Sequence, residues 1–346
     1  MRKTLPSIFL LFVSAVIIFA QTTNPSAQTD GTIVDNQPCE ANPLKNYAEY
    51  VETSKKFFES ETKSAKEQNY DPNYPEEVSP LILSKKEFER RRAYKGFECR
   101  RIKYISDGLK VVGFVWKPKK TANKKLPLII FNRGGNREFG KNTAWTREGF
   151  FYFLEQGFVV IASQYRGNDG GEGKEEFGGA EIDDVMNLMP LAQSLGYIDM
   201  RNVFMFGHSR GGMTTYLALK RNIAVNAAAT TGGLADAFAG SSDRPGMVSD
   251  VYAQLMPDFA KHPEQSMRER SAVNFADQIN TPLLILQGSA DWRADTGNQS
   301  LAFVQKLQQY GKIYEFHIYA KDDHRLSLNA ADRDRRIVEW FKKYMK

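Results

Sequence analysis

The chain has 346 residues, 42% of them hydrophobic, and a formal net charge of +6. This length and apolar content suffice for a complete core, and we expect one α/β domain with an appendage. The positive excess at 90–92 and 117–125 is interpreted as solvated, because no nucleic-acid-binding motif accompanies it. We expect no nucleic-acid partner, no metal and no cofactor, since the sequence has neither a metal-ligand cluster nor a nucleotide-binding glycine motif.

The N-terminus has the pattern of an export signal. Arg2 and Lys3 precede an apolar run of 13 residues at 8–20, which is short for a membrane span, and polar residues follow. We predict a signal peptide over 1–27 and a secreted or periplasmic protein. An uncleaved anchor stays open, because Ile18 would occupy the −3 position of a cut after Ala20. Membrane association is expected in that case alone.

Residues 28–100 are predicted to form an N-terminal extension that is mostly helical. The segment 44–68 is amphipathic, and the default interpretation is packing against the core, with a position over the sheet edge or the mouth of the site as the alternative. Cys39 and Cys99 are the two cysteines of the chain. Export permits a disulfide between them. Two unpaired thiols are the competing interpretation.

From residue 101 to residue 346 apolar runs alternate with helical patterns, which predicts a mainly parallel sheet flanked by helices. An insertion at about 234–275 carries large apolar residues and is predicted to form a small helical cap that lines the pocket. The predicted strands are 102–106, 111–116, 128–131, 159–163, 203–206, 225–230, 283–286 and 314–319.

A G-x-S-x-G pattern at 207–211 lies between an apolar run and a helical segment. This strand–turn–helix context is typical of a nucleophile elbow, in which small residues such as Gly207 and Gly211 permit a tight turn. The turn would present the Ser209 hydroxyl at the end of the sheet. The main-chain N–H of Arg210 would then point to the place where an oxyanion forms.

An acid and a base follow Ser209 in the order expected of a triad. Asp291 lies in the loop after the strand at 283–286, and His324 lies in the loop after the strand at 314–319. His324 is favoured as general base over the other three histidines. Asp295 is a rival for the acid, ranked second because it lies farther from its strand. Asp322 and Asp323 are expected to shape the histidine loop.

These motifs, with the stretches 164–167 and 279–288, resemble the catalytic domain of the prolyl oligopeptidase family of serine peptidases. The resemblance covers about 101–346 and implies an α/β-hydrolase fold. It also implies Ser209 as nucleophile, Asp291 as acid and His324 as base in the cleavage of peptide bonds. Tyr165 and Trp292 are taken as candidate substrate-binding residues.

The chain departs from that family in two respects. Where the family often has a His-Gly-Gly or Tyr-Gly-Gly segment, this chain has Asn132-Arg133-Gly134-Gly135. The second oxyanion donor is then a main-chain N–H near Gly134 or the Arg133 side chain, unless Arg133 pairs with an acidic residue. About 100 residues precede the domain, too few for a β-propeller. Short peptides are the favoured substrates, with small acyl esters as the alternative and a non-catalytic binding protein less favoured.

Overall fold

The computed structural model describes residues 29–40, 46–67, 82–119, 124–143 and 146–346. The predicted signal segment at 1–27 lies outside the described residues. Within those ranges, none of the helices combines the length and apolar character required to span a bilayer.

The described residues form a nine-stranded sheet in the order β1-β2-β3-β5-β4-β6-β7-β8-β9. The first four strands in this order pair antiparallel, and the others pair parallel. The predicted fold class, a mainly parallel sheet flanked by helices, is confirmed. The strands are β1 (Ile33–Pro38), β2 (Phe97–Ser106), β3 (Leu109–Pro118), β4 (Leu126–Asn132), β5 (Val159–Ser163), β6 (Ile198–His208), β7 (Ala227–Thr231), β8 (Leu283–Gly288) and β9 (Tyr314–Tyr319).

Helices cover both faces of this sheet. They are α1 (Tyr47–Glu67), α2 (Lys85–Ala93), α3 (Arg147–Glu155), α4 (Glu181–Met186), α5 (Leu188–Ser194), α6 (Arg210–Lys220), α7 (Ala237–Asp243), α8 (Ala253–Leu255), α9 (Pro263–Arg270), α10 (Ala302–Gln309) and α11 (Ala330–Lys343). Helices α4, α5, α6 and α10 contribute to one apolar cluster, and α3 and α11 contribute to a second. Every residue of β5, β7 and β8 is buried, as expected for strands covered on both faces.

Most residues in the described part of the N-terminal extension lie in α1 and α2, and the extension also contributes β1, an edge strand of the sheet that the sequence did not predict. Its sequence, IVDNQP, has few apolar residues and no clear alternation, since an edge strand needs little burial. The disulfide between Cys39 and Cys99 is confirmed and ties the end of β1 to β2. Helix α1 occupies nearly the predicted range. Its Phe57 ring lies 4.3 Å from the Arg325 guanidinium carbon, beside the histidine loop.

The region predicted as a cap contains α7, a π-helical turn (Val248–Tyr252), α8, α9 and a 3-10 turn (Ala272–Asn274). Its apolar side chains join the first core cluster, so the region is packed onto the domain and is not a detached lid. The cap also contacts the loop after β4. Arg137 donates to the Gln254 Oε1 atom at 2.7 Å. This contact brings the cap next to the residues that follow Gly134.

Candidate active site

Ser209 lies at the turn between β6 and α6, with φ 58° and ψ −127°. Such a positive φ is strained for a serine and is typical of a nucleophile elbow. Gly207 and Gly211 are required here, because a Cβ on Gly207 would overlap the carbonyl of Gly211, and one on Gly211 would overlap the carbonyl of Asn132. The Ser209 N–H donates to the Thr231 carbonyl at 2.9 Å, which anchors the turn to β7.

Asp291 and His324 are brought together at the carboxyl ends of β8 and β9. His324 Nδ1 lies 2.8 Å from Asp291 Oδ2, and both side chains are buried. Gln287 Nε2 donates to the same Oδ2 atom at 2.9 Å. The main-chain N–H groups of Arg293 and Ala294 donate to Oδ1, each at 2.9 Å. Three hydrogen bonds besides the contact with His324 therefore hold the Asp291 carboxylate in place.

The second ring nitrogen of His324 faces the other way. Nε2 is buried and has no hydrogen-bond partner among the described residues. The ring centroid of His324 lies 4.9 Å from that of His208, the residue next to Ser209. With Nδ1 occupied by Asp291, Nε2 is the nitrogen that can accept a proton from a hydroxyl at the elbow.

The buried side chain of His208, next to Ser209, favours its neutral form. Burial, followed by the nearby His324, lowers the pKa of His208 well below its usual value. Its Nδ1 atom lies 3.0 Å from Thr231 Oγ1 and 3.2 Å from the Thr231 carbonyl. A neutral His208 does not oppose the positive charge that His324 would gain as a base.

Two aspartates hold the histidine loop in shape. Asp322 Oδ1 accepts the N–H groups of Asp323 and Leu328 at 2.9 and 3.0 Å. Asp323 Oδ1 accepts the N–H groups of Arg325 and Ser327, each at 2.9 Å. The bonded N–H groups belong to residues before and after His324, so these bonds fix the backbone on both sides of it.

Asp295, the rival acid, lies elsewhere. Its Oδ1 atom accepts the Asn298 N–H at 2.9 Å and caps the π-helical turn at Thr296–Leu301. His317 lies on β9 beside Arg336, and His262 precedes α9. The geometry therefore singles out Asp291 and His324 from their sequence rivals.

The loop at 133–140, here called the oxyanion loop, passes directly beside the elbow. A Cβ placed on Gly134 would lie 2.9 Å from the Ser209 Cβ and 3.5 Å from the Ser209 Oγ. Glycine is thus required at this position for the close approach. The oxyanion loop therefore comes within contact distance of the Ser209 side chain, at the start of α6, where Arg210 follows Ser209 in the chain.

The Arg133 side chain was predicted to act as an oxyanion donor or to pair with an acidic residue, and in the described part of the structure it does neither. Its guanidinium is buried, and its donors point at the carbonyl oxygens of Gly134, Arg137, Phe139 and Gln164 at 2.9–3.3 Å. These contacts occupy all five N–H donors, so none is left for an oxyanion. No described acidic residue pairs with it. Burial and the charge of Arg210 lower the pKa of Arg133 to about 10.

Tyr165 and Trp292, predicted to bind substrate, are buried to 0% and 2% exposure. The Tyr165 hydroxyl donates to the Arg133 carbonyl at 3.1 Å, and the Arg133 guanidinium carbon lies 5.1 Å from its ring. The Trp292 ring is covered by Arg293, whose guanidinium carbon is 4.3 Å from the ring centroid. Both side chains are buried against the loops of the site in this structure, and their assignment to substrate binding stays a prediction.

Sequence reasoning missed the environment of the Arg210 side chain. Its guanidinium is buried between Glu175 and Glu181, at 2.8 and 2.5 Å. Burial opposes the charge, but these two carboxylates raise the pKa of Arg210 above its usual value. The acidic residues in the glycine-rich stretch after β5 were the feature of the sequence that could have indicated partners for Arg210. Among the residues that the structure describes, no group of histidine, cysteine or acidic side chains could hold a metal.

The sheet, the elbow and the post-strand loops are those of an α/β-hydrolase. Residues 145–346 match the profile of the prolyl oligopeptidase family, and the chain belongs to this family. It is therefore a serine-type hydrolase of the peptidase kind.

Similar proteins differ in how much of their length the chain covers. This chain is 28% identical over 245 residues to the uncharacterized peptidase YtmA of Bacillus subtilis. The match covers 70% of this chain and 91% of YtmA. It is 26% identical over 324 residues to the uncharacterized peptidase YuxL of Bacillus subtilis, covering 85% of this chain and 48% of YuxL. An acylaminoacyl peptidase of Pyrococcus horikoshii matches in structure with a TM-score of 0.63 and 21% identity, over 77% of this chain and 44% of that one. The chain thus spans nearly all of YtmA but less than half of YuxL and of the Pyrococcus peptidase.

Proposed function

We propose that the protein hydrolyses amide bonds of short peptides through a Ser209–His324–Asp291 triad and an acyl-enzyme. The observation that carries this proposal is the bond between His324 Nδ1 and Asp291 Oδ2, which leaves Nε2 buried and without a described partner beside the elbow. An imidazole held in this way has one nitrogen committed to a carboxylate and the other available for proton transfer.

In the proposed reaction Ser209 Oγ attacks the substrate carbonyl carbon while His324 Nε2 takes the hydroxyl proton. Asp291 stabilises the imidazolium that results. The carbonyl oxygen becomes an oxyanion, which the N–H of Arg210 and a main-chain N–H near Gly134 would bind. His324 then gives its proton to the leaving amine, and the C–N bond breaks. In the second half of the reaction His324 takes a proton from water, whose oxygen attacks the acyl carbon. The ester bond to Ser209 then breaks, His324 returns the proton to Ser209 Oγ, and the carboxylic acid product leaves.

Short peptides are favoured as substrates for two reasons. The chain belongs to a peptidase family, and one neighbour in structure is an acylaminoacyl peptidase. The cap packs onto the domain and bonds to the loop after β4 through Arg137 and Gln254, so we place it at the rim of a pocket for short substrates. A small cap of this kind also suits esters, so a carboxylesterase is the alternative outcome of the test.

The test is hydrolysis of aminoacyl and acyl-aminoacyl nitroanilides and of short-chain nitrophenyl esters. The wild type is compared with Ser209→Ala and with Ser194→Ala, a control in an exposed serine at the end of α5. We expect nitroanilide cleavage that is lost in Ser209→Ala and retained in Ser194→Ala. Ester cleavage alone with the same dependence on Ser209 would indicate an esterase. Equal rates for wild type and Ser209→Ala would overturn the triad.

We also propose that the protein is exported with its signal peptide removed. The basic start and the apolar run at 8–20 support this, as does a disulfide, which persists in oxidising compartments. The measurement is the intact mass of the mature protein after expression in a bacterial host with fractionation. A periplasmic or secreted product lacking its first 20 or more residues is expected. A cytoplasmic product that retains Met1 would contradict export, and a membrane-bound product that retains Met1 would indicate an anchor.

A further inference from the structure

The side chain of Arg210 reaches from the start of α6 to the oxyanion loop. One terminal nitrogen, Nη1, donates to the Gly135 carbonyl at 3.0 Å and to Glu175 Oε2 at 2.8 Å. The other, Nη2, donates to Glu181 Oε1 at 2.5 Å. The residue that follows the nucleophile is thus bonded through its side chain to the residue that follows Gly134.

Glu175 holds the same loop from a second direction. Its Oε1 atom accepts the main-chain N–H of Arg137 at 2.5 Å, while its Oε2 atom receives Arg210 and the Asn168 amide at 2.8 and 3.2 Å. The pair of Arg210 and Glu175 therefore fixes the oxyanion loop at 135 and at 137. Both side chains are buried, so these contacts act with little competition from water.

Glu181 provides the contrast within the same cluster. It binds the other nitrogen of Arg210, and its remaining bonds are to the main-chain N–H groups of Glu176 and Gly178. Those residues lie in the loop before α4. Glu181 is bonded to Arg210 just as Glu175 is, but it makes no bond to the oxyanion loop.

We propose that Arg210 and Glu175 are positioning residues for the oxyanion hole. Arg210 would supply one donor through its own N–H, and its side chain, with Glu175, would hold the second donor near Gly134 at the correct distance from Ser209. The proposal rests on the proposed function. Preorganised donors act mainly on the transition state, so their misplacement lowers kcat and leaves KM nearly unchanged.

The experiment compares Glu175→Gln with Glu181→Gln in the full-length mature protein. Each change removes one carboxylate charge from Arg210 at nearly constant volume, and thermal unfolding checks that both variants fold. We expect Glu175→Gln to lower kcat by about 10- to 100-fold with KM nearly constant, because a small misplacement of a donor has effects of this size. We expect Glu181→Gln to lower kcat by less than about threefold, since its bonds do not reach the loop.

A pair of inhibitors separates positioning from general disorder. A peptide aldehyde forms a tetrahedral adduct with Ser209, whose oxygen would occupy the oxyanion hole, whereas the corresponding peptide alcohol cannot. Glu175→Gln should weaken the aldehyde in parallel with kcat and leave binding of the alcohol unchanged. If Glu175→Gln does not fold, Arg210→Lys carries the inhibitor test, because it keeps the charge but cannot bond Gly135, Glu175 and Glu181 together.

The outcomes distinguish this proposal from the proposed function. Equal losses of kcat in Glu175→Gln and Glu181→Gln, or equal weakening of the aldehyde and the alcohol, would overturn the positioning role while the wild type remains an active hydrolase. A wild type that turns over no substrate and is not labelled at Ser209 by a fluorophosphonate would overturn both.

Discussion

Gly232 packs against the bond between His324 and Asp291. A Cβ placed on Gly232 would lie 2.7 Å from His324 Nδ1 and 2.9 Å from Asp291 Oδ2. Its φ of +51° also belongs to the left-handed region that favours glycine. The end of β7 thus leaves room for the acid–base pair contributed by the loops after β8 and β9, and the pair fills the space that a side chain would take.

Substitution of Gly232 by alanine should therefore damage catalysis more than stability. Gly196→Ala is the matched control, because Gly196 has φ +73° and nothing within 4 Å of an added Cβ. Both variants should lose ~1–2 kcal/mol of unfolding free energy from the left-handed backbone, and Gly232→Ala should lose more because its Cβ overlaps a buried pair. Only Gly232→Ala should also lower kcat/KM, by roughly 100-fold, since it must displace the pair. Equal activity of the two variants would argue against a catalytic role for this bond.

The identity of the acid can be tested by a second matched pair. Asp291→Asn should lower kcat by roughly 10⁴-fold, because the amide cannot stabilise an imidazolium and favours the wrong tautomer. Asp295→Asn should retain nearly full activity and stability, since asparagine caps a helical turn as well as aspartate does. Steady-state kinetics of the two proteins decides the matter. A larger loss in Asp295→Asn would restore the rival assignment.

The sequence predicted most of this fold because its strands are buried on both faces. Strand β8 follows Thr281-Pro282 with an uninterrupted apolar run, and the structure has it at Leu283–Gly288. The helical pattern between β5 and β6 is observed as two short helices, α4 and α5. Strand β1 was missed, since a polar edge strand carries no periodic signal.

In the candidate site too, some features follow from the sequence pattern and others do not. Ser209, Asp291 and His324 follow strands, and parallel strands bring the loops at their carboxyl ends to one edge. Side-chain direction is not encoded by such spacing. Tyr165 and Arg133 turn inward and bind main-chain groups, which depends on tertiary contacts between the loops after β4 and β5. The pairing of Arg210 with Glu175, 35 residues apart, is beyond local pattern for the same reason.

The disulfide is expected to stabilise the edge of the sheet without affecting catalysis. Cys39 and Cys99 are 60 residues apart, and closure of such a loop in the unfolded chain corresponds to about 4 kcal/mol. The double variant Cys39→Ser/Cys99→Ser should lose up to that amount in chemical denaturation and keep its kcat. Reduced wild type, blocked with iodoacetamide after mild unfolding and refolded, should behave like the double variant. A loss of kcat with unchanged stability would contradict this expectation.

His208 predicts an acid-side loss of stability. Burial keeps this residue neutral in the folded protein, whereas in the unfolded chain it takes up a proton near its usual pKa of about 6.5. The unfolded state therefore binds more protons below that pH, and the free energy of unfolding falls as the pH falls. Above about pH 6.5 the His208 contribution is fully present and constant.

Replacement of His208 by asparagine should remove this dependence while keeping a donor near Thr231. We expect the wild type to lose up to ~1.4 kcal/mol per pH unit more than His208→Asn between pH 6.5 and 5. Urea denaturation of both proteins at pH 5, 6, 7 and 8 measures the difference. Parallel curves over the whole range would show that His208 takes up its proton equally in the folded and unfolded states. In that case a charged His208 would stand beside His324 in weak acid and would oppose protonation of the proposed base.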